Sequence, residues 1–216
     1  MGKVFSLAFD SSLDKLCEVN HSFDKGVLRI CYTGRNRNGS SISRGAMEQS
    51  LQTIYNCPVV CHYYRDEDRL GGHDVEVVRR DGEEPYLANV TEPIGVVPES
   101  ANVWFENLED SDGVTREYLL AEVLLWKRQE AYSKIKSDGI SAQSMEITVR
   151  DSVDSDGILR INAFEFNAFC LLGDCQPCYE GAALETFSLD TFDEQMEQMM
   201  RDYKEAFSLV ITSKGD

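Results

Sequence analysis

The segment SMEITVRDSVDSDGILRINAFEFNAFCLL constrains the fold more than any other part of the chain. Apolar and polar residues alternate on both sides of Asp156-Gly157, and an Asp-Gly pair between alternating runs signals a tight two-residue hairpin turn. Successive strand side chains point to opposite faces, so each arm offers one face to a core and one outward. With residues 155 and 158 paired, the ideal register sets Ser144, Glu146 and Thr148 on one face with Phe169, Asn167 and Glu165.

Further strand patterns surround this hairpin. KVFSLAF alternates, GVLRICYTG ends at Gly34, GRNRNGSSIS reads as a polar loop, and NCPVVCHYY and YLLAEVLLW are strand-like. HDVEVVRR, the turn Asp81-Gly82 and PYLANVTEPIGVV form a second hairpin pattern. Helical spacing is confined to three stretches. One starts at Ser43 and carries Met47, Leu51 and Ile54; another, KRQEAYSKIKSDG, carries Ala131, Tyr132 and Ile135 and stops at Gly139. The third begins after Ser188, where Phe192, Met196, Met199, Met200, Tyr203 and Phe207 form a Met-rich stripe suited to docking. Residues 106–117, with Glu106, Glu109, Asp110 and Asp112, read as a solvated acidic loop. Strands thus outnumber helices. The expected fold is α+β: strand-rich, a closed or nearly closed antiparallel β-barrel with surrounding helices, over residues 1–187, followed by a helical tail over 188–216.

Charge narrows the partners. The 38 acidic against 21 basic residues give a net −17, with no Lys/Arg cluster, which disfavours a nucleic-acid backbone. No apolar run approaches the ~18 residues of a membrane helix, and the N-terminal pattern lacks a signal-peptide h-region, so a soluble, unexported protein is expected. Seven cysteines are an odd number and scattered, which argues against a disulfide framework. Cys57 and Cys61 with His62, and Cys170, Cys175 and Cys178, form two clusters; the bland reading, buried apolar thiols, outweighs a zinc module on Cys57, Cys61, Cys175 and Cys178. Nucleotide, zincin and α/β-hydrolase motifs are all missing from the sequence, and no cofactor or metal is expected.

General-base chemistry with imidazole must use His21, His62 or His73. His62 lies inside an apolar strand and reads as structural. His73 follows two glycines in LGGHDVEVV and opens a strand, where the backbone can approach closely and a ring can sit at a rim. Ser144 begins the strand after the Gly139 loop, a place where a hydroxyl is both held and exposed. In the ideal register Glu165 lies about 13 Å along from Ser144's partner, so Glu146 and Asn167 are nearer rivals for an orienting group.

The succession NCPVV, GGHD, NVTEPIGVVPES, YLLAEVLLWKRQEAYSKIKSDGIS, QSMEI and FEFNAFCLLG resembles the head maturation (prohead) proteases of tailed bacteriophages, over about residues 1 to 187. Through them it resembles the wider herpesvirus assemblin-like group. The resemblance implies a β-barrel serine endopeptidase with His73 as base, Ser144 as nucleophile and Glu165 as the orienting acid. It further implies that the enzyme cleaves scaffolding protein, major capsid protein and itself inside the assembling procapsid in the host cytoplasm, as a homo-oligomer, with no nucleic-acid or membrane partner. A non-catalytic scaffold or capsid-assembly protein of the same fold is the alternative.

Overall fold

The computed structural model describes residues 17–73, 75–78, 86–110, 112–140, 142–173, 178–179 and 182–186. The expected N-terminal strand KVFSLAF, the Asp81-Gly82 turn and the tail at 188–216 lie outside them. In chain order the elements are β1 (Cys17–Glu18), β2 (Phe23–Tyr32), β3 (Gly34–Arg35), β4 (Ser40–Ile42), α1 (Arg44–Ser50), a 3-10 turn (Leu51–Thr53), β5 (Pro58–Cys61), β6 (Tyr63–Tyr64), β7 (Arg69–Leu70), β8 (Val75–Val78) and β9 (Tyr86–Asn89). There follow β10 (Glu92–Val96), β11 (Val103–Glu109), β12 (Thr115–Trp126), α2 (Glu130–Asp138), β13 (Gln143–Ser155), β14 (Ile158–Leu171) and β15 (Ala183–Thr186).

Both expected central helices form for the reasons written in the sequence. Ser43 caps α1 by accepting the Ala46 N–H at 3.2 Å, and Met47 is fully buried on its inner face. Ser50, on the same face, donates from its hydroxyl to the Phe164 carbonyl at 2.7 Å, which ties α1 to β14. Gly139 ends α2 in the left-handed conformation, with Ala131, Tyr132 and Ile135 turned inward.

Eleven strands make one sheet, in the order β1-β2-β12-β10-β5-β14-β4-β3, with β11 added on β12, β13 on β14 and β15 on β2. Two small hairpins, β6-β7 and β8-β9, stand apart from it. The expected closed antiparallel barrel with surrounding helices is therefore corrected: the sheet is open and strongly curled, a half-barrel, and it is mixed. β14 pairs in parallel with both β4 and β5. Where β13 and β15 approach each other, one isolated bridge, Ala142 to Ala183, stands in place of a closing ladder. Alternation reveals which face of a strand is buried but not which strand lies beside it, and pairs such as Phe169 with Val59 join distant parts of the chain.

The core fills the concave side. Leu28, Ile30, Ile42, Met47, Val59, Leu119, Phe169 and Leu171 are among its buried members. The acidic stretch is a second correction. Val103 to Glu109 pairs with Ala121 to Thr115 as a regular hairpin, so only its tip is a turn. Asp110, buried there, accepts from the Tyr118 hydroxyl at 2.7 Å and from Arg116 at 2.6 Å. The same Arg116 holds the Asp112 carboxyl down at about 2. The charge run is thus a strand edge and an ion-paired turn. Sequence reading missed this strand because Glu106, Asn107 and Glu109 are all exposed, which breaks the apolar alternation.

The turn that dominates the sequence pattern has its expected form, with φ of 56° at Asp156 and 72° at Gly157. No atom lies within 4 Å of a Cβ built on Gly157, so a substitution there meets only backbone strain. Gly157→Ala should therefore cost about 1 kcal/mol. In urea unfolding the midpoint should fall with the slope unchanged; an unshifted midpoint would refute the positive-φ turn.

Candidate active site

The hairpin β13-β14 carries the site, and one extra residue determines what it presents. The ideal register holds from Ser155–Ile158 to Ser152–Ile161 and, after two compensating shifts around Asp151, is regained at Val149–Phe164 and Thr148–Glu165. Between Ile147–Phe166 and Glu146–Ala168 the register shifts, leaving Asn167 as the extra residue. Beyond this bulge Ser144 pairs with Cys170 rather than Phe169. The bulge exchanges the two faces of β14. Phe164 and Phe166 point into the core before it; after it Phe169 and Leu171 do, while Ala168, Cys170 and Leu172 join Val60 in a small cluster on the opposite face. Asn167 itself turns out and donates to Thr148 Oγ1 at 2.8 Å.

A chain segment lies across that opposite face. Gly71 donates its N–H to the His62 carbonyl at 2.8 Å and accepts from the Gly173 N–H at 2.9 Å. A Cβ on Gly173 would overlap the Leu70 carbonyl oxygen, so the crossing needs glycine on the underlying strand end as well. Gly71 and Gly72 are buried, and the Cys170 thiol donates to the Gly72 carbonyl at 3.6 Å. The segment ends at His73, whose Nδ1 lies 2.9 Å from Glu146 Oε1. An ionised carboxylate can only accept, so opposite one Nδ1 carries the hydrogen, and in the neutral imidazole that leaves the lone pair on Nε2. His73 is 40 % exposed and Glu146 28 %, which leaves the pair open to solvent on one side.

Ser144 and Glu146 project from the same face of β13, two residues apart, a rise of about 6–7 Å. The Ser144 hydroxyl contacts Cys178 Sγ at 3.7 Å, and among the described residues no hydrogen bond joins it to His73. Glu165 lies farther along the hairpin. Its carboxylate accepts from Arg150 at 2.6 Å, an exposed ion pair that holds its pKa below the usual range. The structure thus brings His73 and Glu146 together, leaves Ser144 one strand step away, and pairs Glu165 with a different partner. His62, expected inside an apolar strand, lies half-buried between β5 and β6, its ring tilted against Tyr64 with centroids 4.1 Å apart.

Cys170 is the residue that sequence reading passed over. Its Sγ, a nitrogen of His73 and an oxygen of Glu146 lie within 4.8 Å of one another. Nothing local marks it, since only the Asn167 bulge brings Cys170 onto the face of Glu146. The zinc module considered for Cys57, Cys61, Cys175 and Cys178 gains no geometry: Cys175 lies outside the described residues, and the single S–H of Cys57 lies between the Thr53 and Phe166 carbonyls, within reach of either.

The sequence model of the YonD N-terminal domain matches residues 22–203. The chain belongs to that family. The match takes in the sheet from β2 onward, the Gly71–His73 crossing and the bulged hairpin, so the site described here lies wholly within the YonD N-terminal domain. No curated protein and no solved structure matches the chain.

Burial pushes the Cys57 thiol up to about 11 and the Cys61 thiol up to about 12. Thiolates react and thiols do not, so both should resist iodoacetamide at neutral pH in the folded protein. Peptide mapping after native and denatured alkylation checks this; modification of Cys57 or Cys61 at native rates equal to those in denaturant would contradict the burial.

Proposed function

We propose that the chain is a serine endopeptidase of bacteriophage head maturation, acting on scaffolding protein, major capsid protein and itself within the procapsid. The observation that carries the reading is the His73–Glu146 hydrogen bond on the face from which Ser144 also projects. A serine hydroxyl is a weak nucleophile and needs a base with a free nitrogen, and an imidazole whose Nδ1–H is fixed by a carboxylate supplies one at Nε2.

In this mechanism Ser144 Oγ attacks a peptide carbonyl while His73 Nε2 takes its proton. The imidazolium, stabilised by Glu146, then protonates the departing amine. Water, deprotonated by the same His73, cleaves the acyl ester and returns Ser144. Glu146 takes the orienting role that the family resemblance gave to Glu165, because Glu146 is the carboxylate within hydrogen-bond distance of the ring. The step between Ser144 and His73 closes when substrate binds, as catalytic hydrogen bonds commonly tighten only in the substrate complex. The acidic surface, net −17, suits a protein that stays off the genome entering the same capsid.

A fluorophosphonate probe should label Ser144, and co-expression with the scaffolding and capsid proteins should yield processed products. Ser144→Ala and His73→Ala should each abolish processing, with the double variant no worse than either. Glu146→Gln should slow processing by on the order of 10³-fold through the wrong imidazole tautomer, and Glu165→Gln should change it little. Undiminished processing in Ser144→Ala would overturn the serine mechanism. If processing were then lost in Cys170→Ala, the nucleophile would be the thiol instead.

A further inference from the structure

We propose that His73, Glu146 and Cys170 form a binding site for a thiophilic divalent cation of the Zn2+ type. Three ligand atoms of three chemical kinds, an imidazole nitrogen, a carboxylate oxygen and a sulfur, lie within 4.8 Å of one another. Zinc bonds of about 2.0–2.3 Å at tetrahedral angles set neighbouring ligand atoms about 3.3–3.7 Å apart. The triad therefore closes on the ion with a shift of about 1 Å or less at each side chain. His73 and Glu146 already stand at 2.9 Å, so the adjustment falls mainly on how they meet Cys170.

The donor set selects the ion. Thiolate and imidazole favour zinc and other soft or borderline cations, whereas magnesium and calcium prefer oxygen alone. Three elements supply the ligands, the Gly71–His73 crossing, β13 and β14, and two of them are locked by the bulged pairing. Cys170 forms the buried floor, while the part-exposed His73 and Glu146 give the ion a way in. Binding releases the Cys170 proton, since the thiolate is the ligand, and moves the imidazole hydrogen from Nδ1 to Nε2, so the hydrogen bonds of Cys170 to the Gly72 carbonyl and of His73 to Glu146 both give way to the metal.

If His73 is the base, which rests on the function proposed above, a bound cation withholds its lone pair and Glu146 together. Metal then holds the enzyme inactive and a chelator releases it.

The probes are Co2+ and Zn2+ added to the purified full chain. Co2+ should give a thiolate-to-cobalt charge-transfer absorption at one equivalent, displaced by Zn2+ and not by Mg2+. Cys170→Ser keeps the side-chain size and should lose the absorption. It should also weaken Zn2+ binding by at least about 100-fold, beyond the roughly 10–100-fold that an outer-shell change costs. Glu146→Gln should weaken binding without removing the sulfur signature, and Cys178→Ser should bind as the unaltered chain does. Circular dichroism of each variant separates loss of a ligand from loss of fold. Absence of the sulfur signature in the unaltered chain, or its persistence in Cys170→Ser, would overturn the site. Neither readout depends on proteolysis, so the cation site and the peptidase reading stand or fall separately.

Discussion

The bulge at Asn167 is the constraint on which the site depends. A sheet with one buried face has no freedom to slip by a single residue, because a slip would carry every apolar side chain of the strand to the wrong side. β14 escapes that rule by taking up one extra residue. Phe164 and Phe166 stay in the core on one side of it, Phe169 and Leu171 on the other, and Cys170 is delivered to the outer face. The strand can tolerate the insertion because it is held by β13 along one edge and, on the other, by β4 and β5 at its two ends and by Ser50 of α1 at the Phe164 carbonyl between them. The opposite face over this region is then apolar enough to need a cover, and the Gly71–His73 crossing provides it.

That crossing shows why glycine clusters where it does. The backbone of residues 71 and 72 must pass within hydrogen-bonding distance of the end of β14, which leaves no room for a side chain between the layers. Gly173 meets the crossing from below for the same reason, its Cα packed under the Leu70 carbonyl. A buried backbone has to find partners for its N–H and C=O groups, and Gly71 finds both, in His62 and Gly173. The position of His73 is a consequence: the chain emerges from a pinned crossing directly above Glu146.

How much of this was legible in the sequence depended on how local each signal is. The long hairpin, its Asp156-Gly157 turn, the Ser43 cap and the Gly139 stop are written in adjacent residues, and the structure has them all. The two glycines before His73 suggested a close backbone approach to its ring; the close approach that the structure has is to Gly173 at the end of β14. The open, mixed sheet was illegible because it rests on parallel pairings such as Cys170 with Val60, between segments far apart in sequence. The acidic stretch misled because exposed charge on both faces of a strand looks like charge on a loop. The register at Ser144 misled for a subtler reason. Asn167 has no feature that distinguishes a bulge from a regular polar position, so the ideal count carried on one residue too far and set Phe169 opposite Ser144 in place of Cys170.

The cysteines divide along the same line. Cys31, Cys57 and Cys61 lie on the core side, where burial raises their pKa; Cys57 meets the Thr53 and Phe166 carbonyls, and Cys31 rests sulfur against sulfur on Met47. They act as small apolar side chains, which is what an odd, scattered set of thiols suggests. Cys170 is equally buried and also meets a carbonyl, that of Gly72, yet it differs in kind because a carboxylate and an imidazole lie beside it on the outer face. Burial alone would make it inert. Burial beside two groups that can share a cation makes it a ligand, and the same single residue of bulge that moved Phe169 inward put it there.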